Sequence, residues 1–219
     1  MRVDKEHHNS IITRNLIDEF KKGSLQYNIN EYNIEYRNDF NRHRTNSIPI
    51  PENLEAFQKY KEVSFFLDDT DILFLTYQGI PVALVSFSLI GEVNVGENRY
   101  QVGFIRQIQS VKFHDKDGKA DKDNYFLNGF NWGKVLIRFF EIFMKENFDI
   151  GNSYILGIII PSSKIVWPRI DLKQAAKIYD KNASQLGYKI VDYINCEDPR
   201  LEPLRSYSNF PGNYMKILD

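Results

Sequence analysis

The chain has 219 residues, 42% hydrophobic and 14% aromatic, enough to bury the core of one domain with an added lobe. Twenty-eight Lys and Arg oppose 29 Asp and Glu, a net charge of -1, so the molecule lacks the overall basic footprint of a nucleic-acid binder. A lone cysteine, Cys196, excludes an internal disulfide framework, the opening MRVDKEHHNS has no apolar signal core, and stretches such as YILGIII are too short to span a bilayer.

These observations predict a soluble, cytoplasmic protein without a membrane partner. From Ser10 to Lys22, Ile11, Ile12, Leu16, Ile17 and Phe20 recur at helical spacing and predict a short amphipathic helix. In EYNIEYR, Tyr32, Ile34 and Tyr36 alternate with polar residues, the period of a strand with one buried face. IPIPEN interrupts regular structure, because proline fixes its own φ and pushes its predecessor toward extended conformations. A helix is expected from Asn53 to Val63. DILFLTYQGIPVALVSFSLI, from Asp71 to Ile90, has two β-rich runs around Gln78-Gly79 and predicts an antiparallel hairpin. RYQVGFIRQIQSVKF continues as a third strand with imperfect alternation, compatible with a bulge. After the charged loop HDKDGKADKDN, the run GKVLIRFFEIFMKEN predicts a deeply packed helix. YILGIII then reads as a central strand, DLKQAAKIYDKNASQLGY as a helix ending near Gly187, and KIVDYI as a last strand.

The stretch NGFNWGKVLI, Asn128 to Ile137, lies between a strand and that packed helix. Gly129 and Gly133, with Asn128 and Asn131, supply residues that tolerate left-handed backbone, so such a loop can turn amides toward an anion. The N–H groups and positive dipole end of the following helix favour a phosphate or pyrophosphate, and Lys134 adds charge. The same residues also suit a plain turn delivering a buried helix, and the two readings carry equal weight at this point. Lys134 is followed by Val135 where a nucleotide P-loop needs Ser or Thr, which argues against ATP or GTP chemistry.

From Asp71 to Tyr193 the order of elements resembles the GNAT family of acyl-coenzyme A-dependent N-acetyltransferases. There a hairpin leads to a long strand, and a pyrophosphate loop of the form Arg/Gln-x-x-Gly-x-Gly/Ala opens a helix. A strand and a helix ending in Leu-Gly-Phe follow. Here the loop reads Asn128-Gly129-Phe130-Asn131-Trp132-Gly133: Gly133 matches, Gly129 matches a frequent optional glycine, and Asn128 and Asn131 depart from the pattern. Leu186-Gly187-Tyr188 stands where the family has Leu-Gly-Phe.

The resemblance implies an α/β fold, a mixed twisted sheet flanked by helices, with residues 67–219 as the acyl-coenzyme A core. Residues 1–66 would be an N-terminal extension on the acceptor side. It further implies a coenzyme A thioester as cosubstrate, acetyl-CoA or another acyl-CoA, in a splayed gap between the strand ending near Val111 and the strand from Tyr154 to Ile160. Backbone around Gln109, Ser110 and Val111 would hold the pantetheine and thioester, and Asn128 through Lys134 the pyrophosphate. A parting strand leaves amides and carbonyls that an extended amide-containing ligand can satisfy.

The implied reaction transfers an acetyl or other acyl group to a primary amine on a small molecule or protein. It needs a neutral amine, a thioester within reach and a proton for the leaving thiolate. Tyr179 is the candidate donor, although the family tyrosine often falls where this chain has Ala183, one helical turn or roughly 6 Å further along. A core tyrosine with its hydroxyl at the edge is the alternative. No carboxylate in the strand from Gly103 to Val111 offers a general base. The second reading of the whole chain is a non-catalytic acyl-CoA-binding or protein-interaction module on the same fold.

Asp115, Asp117, Asp121 and Asp123 resemble a calcium loop, but the glycine is misplaced and Phe126 stands where a bidentate Glu is required. His7, His8, His43 and His114 show no metal-ligand spacing. Basic residues in RNDFNRHR read as wet surface, and Trp167 either lines an acceptor pocket or seals the core.

Overall fold

The computed structural model describes residues 5–121, 123–148, 153–165, 171–191, 198–206 and 210–218. Its main sheet has the hydrogen-bonded order β1-β4-β5-β6-β8-β10-β9, and a second sheet has the order β2-β3-β7. The strands are β1 Tyr32–Arg37, β2 Thr45–Pro49, β3 Tyr60–Phe66, β4 Asp71–Tyr77, β5 Ile80–Val95 and β6 Asn98–Ser110. They continue as β7 Lys112–Asp115, β8 Tyr154–Ile159, β9 Lys189–Val191 and β10 Asn213–Ile217. The helices are α1 Lys5–Glu19, α2 Trp132–Phe148, α3 Leu172–Ala176 and α4 Asn182–Gln185, the last two joined by a π-helical turn, Lys177–Lys181. The β6–β8 pair is parallel, while β1–β4, β8–β10 and β9–β10 are antiparallel, so the main sheet is mixed.

Contacts divide the chain into Met1–Ser86 with Gln107–Phe139, and Phe87–Arg106 with Phe140–Asp219. The division thus falls inside β5, β6 and α2. In the first unit, β4 and β5 form the expected hairpin: Gln78 at φ 49° and Gly79 at φ 77° adopt the left-handed backbone that a two-residue hairpin turn requires. Helix α1 starts earlier than Ser10 and buries Thr13, Leu16 and Ile17, while Ile11 is exposed. The first core is aromatic. Phe126 stacks on Tyr27 and Phe57 at centroid distances of 4.5 Å each, and the Tyr32 hydroxyl donates to the Phe126 carbonyl.

The helix expected from Asn53 to Val63 does not form. A 3-10 turn, Glu55–Phe57, gives way to β3, which pairs with β2 on one side and β7 on the other. Val63 and Phe65 instead bury as alternate strand residues once two neighbours supply ladder bonds. Nor does the third strand run unbroken to Phe113: β6 stops at Ser110, and β7 belongs to the other sheet.

In the second unit, β8 is central, with β6 and β10 as neighbours. Gly103 on β6 lets α2 come close: a Cβ there would lie 2.6 Å from the Met144 sulfur and 2.8 Å from the Phe140 ring. Tyr100, Leu156, Leu204 and Phe210 form part of that unit's core. Lys216 on β10 donates to the buried Glu141 carboxylate of α2 at 2.8 Å. The helix expected over Asp171–Tyr188 is present but carries the π turn, and β10 had no sequence counterpart. Of KIVDYI, only Lys189–Val191 lies within the described residues. Trp167 and Cys196 fall outside them, as do the side chains of His7 and His8.

Candidate functional site

The loop before α2 is built by backbone from two remote segments. A 3-10 turn, Tyr125–Leu127, ends with the Asn128 amide donating to the Tyr125 carbonyl at 3.2 Å. Gly129 then takes φ 88°, and a Cβ there would meet the Ser24 carbonyl oxygen at 3.0 Å. Its own carbonyl accepts from the Lys22 amide at 2.8 Å, Phe130 bridges to Lys21, and the Asn131 amide donates to the Phe20 carbonyl at 3.1 Å. The chain just past α1 therefore forms a short antiparallel strap along the loop.

This arrangement changes which groups face a ligand. The Asn128 and Asn131 amides are committed to carbonyls of the protein, and Phe130 is buried with its ring 5.6 Å from that of Tyr32. Helix α2 closes its first intrahelical bond from the Val135 amide to the Asn131 carbonyl at 3.1 Å. Helix geometry gives the amides of Trp132, Gly133 and Lys134 no acceptor within the helix. Gly133 is buried, Trp132 is half-buried, and the Lys134 ammonium lies 5.2 Å from the centroid of the Phe20 ring. The amides of the stretch that lack an acceptor within the helix thus lie in the first turn of α2, where the dipole is positive.

The end of β6 is also engaged. Gln109 donates through its side-chain amide to the Phe66 carbonyl at 2.5 Å, Ser110 is exposed, and the buried Val111 donates its amide to the Val82 carbonyl at 3.2 Å. Val111 consequently offers no N–H to a ligand. Gln107, which sequence reasoning passed over, accepts from the Ser86 hydroxyl at 3.1 Å and the Asp68 amide at 3.2 Å, both through Oε1. Its Nε2 is buried without a hydrogen-bond partner. The parallel register of β6 with β8 runs from Tyr100–Tyr154 to Ile105–Ile159, and the Ile160 amide adds a bond to the Ile105 carbonyl at 3.2 Å. Beyond it β6 continues through Ser110, whereas β8 ends and Pro161 leads into a 3-10 turn.

Tyr179 sits in the π turn, only 5% exposed, and Ala183 is fully buried in α4. The neighbouring Asp180 accepts from the Ser162 amide at 2.9 Å and from the Ser162 hydroxyl, which fastens the π turn to the segment after β8. Leu186-Gly187-Tyr188 closes α4: Gly187 has φ 84°, its amide donates to Ser184, and the Tyr188 amide reaches back to Ala183 at 3.0 Å. That is a left-handed glycine cap, and it gives the tripeptide a structural role of its own. The Tyr188 hydroxyl would lie 2.8 Å from a Cβ on Gly157, so the β8 glycine admits the capping ring.

The charged loop after β7 lines a cleft of about 400 Å³ together with Lys59 and Tyr60. Tyr60 donates to Asp121 at 2.7 Å, and Lys59 adds a contact at 3.2 Å. Burial pushes the Tyr60 hydroxyl up to about 12, while the Tyr60 and then the Lys59 hydrogen bonds hold the Asp121 carboxyl below its ordinary value. Asp115 caps the amides of Asp117 and Lys119 and so closes the turn on itself. Among the described residues no group of three or more His, Cys, Asp or Glu converges as a metal site, and no helix is long and apolar enough to cross a membrane. The chain matches no known protein family, no curated protein and no solved structure.

Proposed function

We propose that the chain is an acyltransferase of the acyl-CoA N-acyltransferase fold, moving an acetyl or other acyl group from coenzyme A to a primary amine. The observation that carries this reading is the course of β6, which continues from Arg106 to Ser110 after its register with β8 has ended at Ile105. A strand that outruns a parallel neighbour can offer backbone groups to an extended amide-bearing arm. The first turn of α2 would take the pyrophosphate with its amides and Lys134. In this reading the amine attacks the thioester carbonyl, the carbon–sulfur bond breaks, Tyr179 protonates the leaving thiolate, and the proton shed by the amine nitrogen passes to water, from which Tyr179 regains its own.

Burial of Tyr179 and commitment of the Asn128 and Asn131 amides favour the second reading, a binding module that takes acyl-CoA without turning it over. A ligand that binds only the folded state at 100 times its dissociation constant stabilises by about 2.7 kcal/mol. Coenzyme A is therefore expected to raise Tm in a thermal-shift titration, and a flat response at saturation overturns both readings. Tyr179→Phe separates them. Loss of a general acid slows turnover on the order of a hundredfold with coenzyme A binding retained. A wild-type protein that binds acetyl-CoA but acetylates no amine across a broad panel supports the module.

A further inference from the structure

In the three-stranded sheet, β3 is paired antiparallel with β2 on one side and β7 on the other, and directly opposed residues of such pairs share a face. Glu62 stands opposite His114, and Ser64 stands between Ser47 of β2 and Lys112 of β7. One face of the sheet is therefore polar, while Val63, Phe65 and Phe113 are buried on the other. On the polar face the Ser64 hydroxyl oxygen lies 2.7 Å from Nε2 of His114. Nδ1 of the same ring lies 3.4 Å from the Gly118 carbonyl oxygen. A carbonyl can only accept, so Nδ1 carries the ring proton, Nε2 keeps a lone pair, and the Ser64 hydroxyl donates to it.

We infer that Ser64 and His114 are a nucleophile–base pair that hydrolyses small carboxylic esters, with the Gly118 carbonyl setting the imidazole tautomer. The orienting group is itself fixed. The Gly118 amide donates to the Asp115 carbonyl at 3.0 Å, the Asp115 amide donates to the Lys119 carbonyl at 3.0 Å, and the Asp115 carboxylate takes the amides of Asp117 and Lys119. A hydroxyl bonded to a base that a third group orients is the arrangement that activates serine. In the first step Oγ of Ser64 bonds to the ester carbonyl carbon and its proton passes to Nε2 of His114; the carbon–oxygen bond to the alcohol then breaks, and the alcohol leaves with that proton. In the second step water adds to the acyl carbon and gives a proton to Nε2. The bond to Oγ breaks, the proton returns to Oγ, and a carboxylic acid departs. A central strand spends its amides on its two ladders, so donors to the oxyanion come from side chains, and the exposed Ser47 hydroxyl and Lys112 ammonium flank Ser64. Only 9% of Ser64 is exposed, which restricts the acyl group to a short one.

The experiment follows p-nitrophenyl acetate hydrolysis by the full chain, and maps by mass spectrometry the residue that a fluorophosphonate probe modifies. Wild type should release p-nitrophenolate over many turnovers and carry the probe on Ser64. Ser64→Ala should lose the adduct, and both Ser64→Ala and His114→Gln should slow hydrolysis about a hundredfold or more, since glutamine can accept the hydroxyl hydrogen bond but cannot take up the proton. Should His114→Gln fail to fold, as judged by a thermal melt, His114→Asn carries the same comparison. A probe adduct elsewhere, hydrolysis no faster than in buffer, or a rate unchanged by Ser64→Ala overturns the inference. No coenzyme A is used in this assay, so its failure leaves the acyltransferase reading intact, and a flat coenzyme A titration leaves the Ser64–His114 pair intact.

Discussion

The loop before α2 and the helical stretch Leu172–Gln185 are held in place by different chemistry. The loop is fastened by main-chain bonds, Lys22 to Gly129 and Asn131 to Phe20, which no side chain makes. The π turn of the helical stretch is fastened by a side-chain pair, Asp180 with Ser162. Main-chain bonds tolerate drift in residue identity, because every non-proline residue carries the same donor and acceptor. A loop built in this way can change its residues at Asn128 and Asn131 and keep its shape. The π turn has no such latitude, since its anchor vanishes with one carboxylate.

Proline tests the first half of that contrast. Lys22→Pro removes the N–H bonded to the Gly129 carbonyl and constrains the strap, and should cost about 2–3 kcal/mol in urea unfolding. Lys22→Ala keeps the amide and should cost well under half as much. The second half is tested by Asp180→Ala, which leaves the mostly buried Ser162 amide and hydroxyl without their acceptor. A loss of about 2 kcal/mol is expected by the same measurement, and an effect no larger than that of Lys22→Ala would contradict the difference between the anchors.

Gly129→Ala is the one side-chain change the loop should resist. It places a Cβ at φ 88° and 3.0 Å from the Ser24 oxygen, and a cost of about 1–2 kcal/mol is expected in a thermal melt. The smallest effects concern pH. Asp121 has a depressed folded pKa, so its contribution is present at neutral pH and lost as pH falls through that value; Asp121→Asn should flatten the acid limb of stability. Tyr60 has a raised one, so its contribution is full below pH 10 and lost as pH rises toward about 12; Tyr60→Phe should flatten the alkaline limb.

What could be read from residues alone depended on whether the deciding contacts were local. The β4–β5 turn was legible because Gln78-Gly79 carries its own conformational signal, and α2 because its apolar run exceeds what a surface helix needs. The helix expected through Val63 fails at residues 60–63 because their strand state depends on β2 and β7, which the intervening sequence does not reveal. At β10 a signal existed: Asn213, Met215 and Ile217 are buried while Tyr214 and Lys216 are not, an alternation visible in NYMKI. The site followed the same division. The glycine-rich loop announced itself, but the strap from Phe20 to Ser24 lies more than a hundred residues away in the chain, and only folding brings it to Gly129. The π turn has no residue signature at all.

The position of β10 affects the order in which the second unit can assemble. It lies between β8 and β9, although both precede it in the chain. During synthesis β9 therefore leaves the ribosome before the strand that gives it a partner, and its three residues have no ladder to join until Asn213–Ile217 follows. Until then the β8 edge that will receive β10 is open to any extended segment nearby. A nascent chain stalled before Asn213 would expose that edge, and with it the unpaired amides and carbonyls on which another extended chain can pair.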